Sequence, residues 1–185
     1  MKYTRYNDIP KFIQHGSYEV DVSPDRLIVN VDDFVRDHNL QLDPDFQRGH
    51  VWTTSQHKAF IEFFLRGGKT AKVIYFNFPS WHHAAKTAYD DFVIVDGKQR
   101  LEAWRKFFNN EFKVFGSYAK EFTDSLRIMM TMKMNINDLP TKADVLQWYI
   151  DFNSGGVVHS DDEISRVKKL LKEEQKSALS HTKAG

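Results

Sequence analysis

The sequence predicts a mixed fold in which strands and helices alternate up to about Pro140 and helices alone follow. Two apolar runs, Lys72–Phe78 and Phe92–Val95, have the length of buried strands. After the second run, apolar side chains recur at helical spacing. We therefore expect an α/β domain over residues 1–140 and a helical extension over 141–185, packed on it and ending in a frayed polar tail.

The first part of the chain predicts one strand and one short helix. Tyr18–Val22 alternates weakly between apolar and polar residues, which is typical of a strand. Asn30 is a suitable cap for a short helix, because its side-chain oxygen can accept from a backbone N–H of the first turn. The inward face of that helix would be formed by Val31, Phe34 and Val35. Leu40–Arg48 is then expected to be extended, since Asp43 precedes a proline.

A second helix has clear start and stop signals. Thr53 and Gln56 match a capping box, in which each side chain bonds to a backbone N–H of the other residue. Its apolar face would contain Phe60, Phe63 and Phe64. The pair Gly67-Gly68 ends it, because glycine readily adopts the left-handed conformation that follows a helix.

A strand, a turn and a helix are predicted at the centre of the chain. The apolar run ending at Val95 turns at Asp96-Gly97, and Leu101, Trp104 and Phe108 then lie on one helix face. The helix should stop near Asn109-Asn110. Its N-terminus offers unpaired N–H groups and the positive end of a dipole, so the turn is suited to phosphate. The alternative is an ordinary helix start, with Asp96 as the cap and Arg100 in a surface ion pair.

The remaining chain predicts two strands and two helices. The strands are expected within Glu111–Phe115 and Leu126–Ile136. Thr141 can cap the first helix, and Ser160 and Glu163 match a capping box before the second. The inward residues would be Val145, Trp148, Tyr149 and Phe152 in the first, and Ile164, Val167 and Leu171 in the second.

Composition excludes some classes of function. The 26 basic and 25 acidic residues give a net charge of +1, so no global field draws the chain to nucleic acid or membranes. The absence of cysteine excludes disulfide and thiolate chemistry. No signal peptide or membrane-spanning run is evident, so we expect a cytoplasmic protein with no membrane partner.

Polar clusters interrupt the apolar segments at three places where secondary-structure elements begin or end. They are Phe46-Gln47-Arg48, Asp96-Gly97-Lys98-Gln99-Arg100 and Asn153-Ser154-Gly155-Gly156. Side chains at such ends can converge on a ligand. Taken singly, each cluster also has a structural explanation, as loop hydrogen bonds, a helix cap or a helix stop.

Together the clusters resemble a known family. The order P-x-F-Q-R-x-x-V-W, V-D-G-K-Q-R-L and F-N-S-G-G-x-x-x-S-x-x-E-I is similar to the ParB-like N-terminal domain of GmrSD-type restriction proteins, over about Val29 to Leu171. The resemblance implies an α+β fold of ParB/sulfiredoxin type: a small mixed sheet flanked by helices, with a C-terminal helical extension. It also implies NTP binding and hydrolysis that regulate DNA cleavage.

The resemblance assigns site residues. The D-G-Q-Q-R motif falls on Asp96 to Arg100, with Lys98 in place of the first glutamine. It implies catalytic roles for Asp96, Gln99 and Arg100, with Mg²⁺ held by Asp96. The implied nucleotide and phosphate contacts are Gln47, Arg48, Gly97, Lys98, Arg100, Asn153, Gly155 and Gly156. Lysine adds a cation near the phosphates, but it removes an amide acceptor.

Two other functions stay open. One is a non-catalytic DNA-binding or accessory protein that keeps the fold. The other is a metal-dependent nuclease that uses Asp96 with Asp90 or Asp91. The family's His-Asn-His nuclease domain finds no counterpart in this sequence, so we do not expect cleavage by this chain alone. Expected partners are a nucleotide, with DNA, a separate nuclease subunit or a second copy of the chain left open.

Overall fold

The computed structural model describes residues 2–5, 9, 18–47, 51–81, 88–126, 130–154 and 161–182. Within these ranges the fold is α+β. The strands are β1 Tyr18–Val22, β2 Val73–Asn77, β3 Val93–Asp96 and β4 Met132–Asn137. The α-helices are α1 Pro24–His38, α2 Thr54–Leu65, α3 Lys98–Phe108, α4 Lys142–Ser154 and α5 Asp161–Thr182, and Ala119–Glu121 forms a 3₁₀ turn.

The four strands form one mixed sheet in the order β1-β4-β2-β3. β1 and β4 are antiparallel, β2 and β4 are parallel, and β2 and β3 are antiparallel. The β2–β3 register shifts between Tyr75 and Phe76, because Tyr75 pairs with Asp96 whereas Phe76 pairs with Ile94. This irregularity has the form of a β-bulge just before the central turn. The mixed sheet flanked by helices confirms the predicted fold class.

Helices cover both faces of the sheet. Ile94 packs into one core cluster with α1, α2 and α3, whereas Val93 and Val95 pack into a second with α4 and α5. The helical side chains of the first cluster include Leu27, Val31, Phe60, Ile61, Phe64, Leu101 and Trp104. Those of the second include Val145, Leu146, Trp148, Tyr149, Val167 and Leu171. Because β3 is buried on both sides, its sequence is a continuous apolar run.

Several local predictions are confirmed. Thr53 and Gln56 form the reciprocal capping box of α2, in which Thr53 N donates to Gln56 Oε1 at 2.8 Å. Strands β1, β2 and β3 occur where the sequence predicts them. Asn110 follows α3 in the left-handed region, with φ 60°. Thr141 Oγ1 accepts from Asp144 N at 3.1 Å and so caps α4.

The predicted start of the first helix was wrong. α1 begins at Pro24, so Asn30 lies in its interior and caps nothing. Proline suits this position because its fixed φ matches the helix and it needs no N–H partner there. Val31 is buried as expected, but Val35 is 40% exposed, because the buried face of the helix runs through Pro24, Leu27 and Val31.

The strand predicted within Glu111–Phe115 was also wrong. Its only pairing is an isolated bridge from Val114 to Ser117, around a tight turn in which Phe115 and Gly116 have positive φ. Two aromatic residues predicted to face inward, Phe63 and Phe152, are 45% and 37% exposed. They occupy the edges of faces whose centres are buried.

The C-terminal region is helical wherever it is described. α5 continues as one helix to Thr182, through the segment from Lys172 onward where the sequence predicted fraying. Ser160 lies outside the described residues, and the division at residue 140 stays a prediction. No helix in the described part of the chain has both the length and the apolarity to cross a bilayer.

Candidate nucleotide site

The central turn requires glycine. Gly97 caps α3 with φ 98°, a conformation that side chains rarely adopt. A Cβ at this position would lie 2.6 Å from Cδ1 and 3.2 Å from Cα of Ile74. The backbone therefore packs directly on β2. The first N–H groups of α3 have no acceptor within the helix, as at any helix N-terminus.

Asp96 and Arg100 form an ion pair on either side of this glycine. The Arg100 guanidinium donates to Asp96 Oδ2, one helical turn away, and the two side chains are 13% and 22% exposed. The contact is the ion pair considered above as the structural alternative, although it is more buried than a surface pair. A guanidinium has five N–H donors, so one contact leaves donors for a ligand. The pair fixes where those donors point.

The side chain of Gln47 binds the backbone of β3. Its Nε2 donates to the carbonyls of Ile94, at 3.2 Å, and of Val95. These carbonyls lie at the register shift, where sheet pairing is interrupted. The first polar cluster therefore meets the central turn in space, but Gln47 acts on the backbone. Arg48 lies outside the described residues.

The other side chains at the start of α3 also have partners. Gln99 Oε1 accepts from the backbone N–H of Trp52 at 2.9 Å, which ties the turn to the segment before α2. Lys98 Nζ lies 2.8 Å from Asp43 Oδ1. Lys98 is only about one-third exposed, and its partner lies in the segment that carries Gln47. Both contacts join the second polar cluster to residues that flank the first.

The third polar cluster begins at the C-terminal end of α4. Asn153 Nδ2 donates to Tyr149 O at 2.7 Å, a bond within the helix end. One residue earlier, the Phe152 ring lies 4.8 Å from the ring of Tyr75, which is paired with Asp96 in the sheet. The end of α4 is therefore close to the central turn, although Gly155 and Gly156 lie outside the described residues.

A comparison with models of known protein families identifies the family of this chain. The profile of the GmrSD restriction endonuclease N-terminal domain matches residues 31–178, which is most of the chain. The chain belongs to the GmrSD N-terminal domain family. This links it to DNA restriction. No curated protein and no solved structure matches the chain at a significant level.

Sequence analysis missed a polar row in this GmrSD-type domain. Glu19, Asn135, Tyr75 and Asp96 occupy one register position across all four strands. Asn135 Nδ2 donates to Glu19 Oε2 at 3.1 Å, whereas its Oδ1 is buried and has no hydrogen-bond partner in the described part of the chain. Burial raises the pKa of Tyr75, and the charge of Asp96 raises it further. The sequence signal was the alternation of apolar and polar residues in β4, where Lys133, Asn135 and Asn137 follow Met132, Met134 and Ile136.

A metal would have few protein ligands in this GmrSD-type domain. In the part of the chain that the structure describes, no three His, Asp or Glu side chains form a metal site. Mg²⁺ often takes only one or two carboxylates and completes its shell with phosphate oxygens and water. Asp96 at 22% side-chain exposure fits that limited role. Asp90 instead accepts a hydrogen bond from Ser80.

Proposed function

We propose that this domain binds a nucleoside triphosphate where β3 passes through Gly97 into α3, and that its hydrolysis regulates DNA restriction. The observation that carries the proposal is the Asp96–Arg100 pair around a glycine with φ 98°. A side-chain-free turn, a helix N-terminus and a fixed guanidinium are together suited to a phosphate chain. Membership of a restriction-enzyme domain family supplies the biological context.

Each residue has a separate role in this proposal. The N–H groups after Gly97 and the guanidinium of Arg100 would bind phosphoryl oxygens, where negative charge develops during transfer. Lys98 would add a cation at the outer side of the turn. Asp96 would hold Mg²⁺, which neutralises phosphate charge when bound, or would orient the attacking water. Gln47 and Gln99 would keep the turn rigid through the contacts described above.

Ligand binding would change the contacts of the ion pair without having to break it, because Arg100 has further N–H donors. Arg100 neutralises Asp96 in the free domain, so neither charge is left unpaired in a partly buried position. A phosphate would offer Arg100 a second oxyanion, and the cation would offer Asp96 a second positive charge. The pair would therefore open or be shared only when both parts of an NTP–Mg²⁺ complex are present.

The test is a panel of the four NTPs, each with and without Mg²⁺, scored by thermal shift and by phosphate release. At a hundredfold excess over Kd, a ligand of the native state stabilises it by about 2.7 kcal/mol. We expect a higher melting temperature for at least one NTP, together with slow release of phosphate. The absence of both at millimolar NTP would reject the proposal, and duplex DNA titrated in parallel tests the accessory DNA-binding alternative.

A further inference from the structure

We infer that Asn135 and Glu19 select the nucleoside part of the bound nucleotide by accepting a hydrogen bond from one of its donor groups. This inference rests on the proposed function. It concerns the polar row Glu19–Asn135–Tyr75–Asp96, which crosses the sheet in register. Asn135 lies two strands from Asp96, a separation of about 10 Å. A nucleotide whose phosphates sit at Gly97 can place its sugar or base at that distance.

The chemistry of Asn135 specifies a donor on the ligand. Asn135 is 3% exposed, and its Oδ1 has no hydrogen-bond partner among the residues that the structure describes. The amide orientation is determined by its neighbour, because a carboxylate only accepts and Glu19 therefore requires the amide nitrogen. The atom without a partner is thus an acceptor. Buried polar atoms are nearly always satisfied, so this one is suited to a ligand N–H or O–H.

A partly exposed charged pair lies beside this atom. Glu19, on one side of Asn135, has a side chain that is 46% exposed and is paired with Lys133 at 2.6 Å. The ligand would enter from this side, where the carboxylate of Glu19 would be shared between Asn135 and the ligand donor. Lys133 balances the charge of Glu19, which lowers the repulsion that a phosphate-bearing ligand would meet there.

An aromatic surface next to the row favours a nucleoside over other donors. Tyr75 stands between Asn135 and Asp96, and its ring packs edge-on against Trp148 and Phe152 at 5.9 and 4.8 Å. Phe152 is 37% exposed at the end of α4. An exposed ring beside hydrogen-bonding groups is the usual arrangement for stacking a base. The exposed ring of Phe152 would provide that stacking surface.

The donor could come from the sugar or from the base, and nucleotide analogues separate the two. The probes are ATP, its 2′-deoxy and 3′-deoxy forms, and purine riboside triphosphate, which lacks the exocyclic amine. The same comparison is made for GTP and inosine triphosphate. Affinity is measured by titration calorimetry with Mg²⁺. We expect one analogue to bind at least about tenfold more weakly than its parent, because it leaves the buried acceptor unsatisfied.

The variants Asn135→Leu and Glu19→Ala then test which residues read that donor. In both variants the parent nucleotide should bind no more than about twofold more tightly than the analogue, while the triphosphate still binds. Glu19 is exposed, so its variant should fold even if Asn135→Leu does not. The control is Asp21→Ala, an exposed acidic change two residues along the same strand, which should keep the wild-type ratio.

The outcomes separate this inference from the proposed function. Wild-type protein that binds every analogue equally would overturn the inference and leave nucleotide binding in place. Variants that keep the wild-type ratio would do the same. Wild-type protein that binds no nucleotide would remove the proposed function, and this inference with it.

Discussion

Asp96 and Arg100 are partners across a glycine: the arginine reaches back one helical turn to the carboxylate that ends β3. Both charges are partly buried, so each needs the other in the absence of ligand. The contact stabilises the strand–helix junction and also positions a guanidinium beside the helix N-terminus. Substitutions at the two residues should therefore separate ligand binding from turnover.

Arg100→Ala should weaken NTP binding at least about tenfold, because a charged hydrogen bond contributes about 1.5–3 kcal/mol. Asp96→Ala should retain measurable binding and lose phosphate release, since it removes the carboxylate for metal or water. Circular dichroism establishes folding, and calorimetry and phosphate release then separate the two steps. Arg105→Ala is the control, because Arg105 lies on the same helix and pairs with Asp32 instead. Wild-type affinity in Arg100→Ala would leave that residue a structural ion pair.

Gly97→Ala should lower the free energy of unfolding by more than the same substitution at an ordinary left-handed glycine. The conformation itself costs an L-residue about 1–2 kcal/mol. The added Cβ would also press on Ile74, with a backbone atom only 3.2 Å away. Gly67→Ala is the matched control. Gly67 has φ 85°, and a Cβ added there would have no atom of the described residues within 4 Å. Urea unfolding should show the larger loss of unfolding free energy for Gly97→Ala. Equal losses for the two variants would mean that β2 shifts to accommodate the added Cβ at little cost.

Gln47→Ala should lower the free energy of unfolding by about 1–3 kcal/mol. It leaves two carbonyls at the irregular end of β3 without their side-chain donor. Gln147→Ala removes a half-buried amide that bonds to a side chain on its own helix, so its effect should be below about 0.5 kcal/mol. If both variants unfold at the same urea concentration, Gln47 does not support the strand.

Trp104→Ala should lower the unfolding free energy by about 3–5 kcal/mol, as is usual for large-to-small aromatic changes in a core. Trp104 is 0% exposed and its ring meets Phe64 at 4.9 Å. The comparison is Phe115→Ala, which removes an aromatic ring that is 55% exposed and should cost less than about 1 kcal/mol. Chemical denaturation measures both, and equal values would contradict the packing described for α3.

Stability should fall as pH drops below 6.5 because of His57. Burial lowers the pKa of His57 below its ordinary 6.5, and the charge of Lys106 lowers it further. Below pH 6.5 the unfolded chain binds a proton at this residue that the folded chain resists. The resulting slope is at most about 1.4 kcal/mol per pH unit, until the folded pKa is reached. His57→Phe should remove this part of the slope in urea unfolding between pH 7.5 and 5, whereas an unchanged slope would assign it to other groups.

Local signals made several parts of the fold predictable. The capping box at Thr53, the strand before Asp96 and the stop at Asn110 each depend on residues within a few positions of one another. The first helix was misplaced because Asn30 has the side chain of a good cap, whereas the helix begins earlier, after Ser23, where Pro24 fits the first helical position.

The candidate site was predictable in part. The turn at Gly97, and the position of Arg100 one helical turn after Asp96, follow from a short motif, because a strand–glycine–helix junction is a local structure. The contact of Gln47 with β3 spans 47 residues, and ordered motifs suggested that proximity without specifying its chemistry. The hydrogen bonds of Gln47 to the backbone of β3 could be seen only in the tertiary structure.

By itself, the sequence determined the class of the fold, most of its elements and the junction where phosphate is expected to bind. It did so because hydrogen bonds within a turn or helix, and the period of apolar residues, involve near neighbours. Only the tertiary structure decided that β4 lies between β1 and β2. That order aligns Asn135 with Tyr75 and Asp96, and it buries an amide beside Glu19. Strand order depends on which distant surfaces bury one another, so no local pattern could specify the polar row.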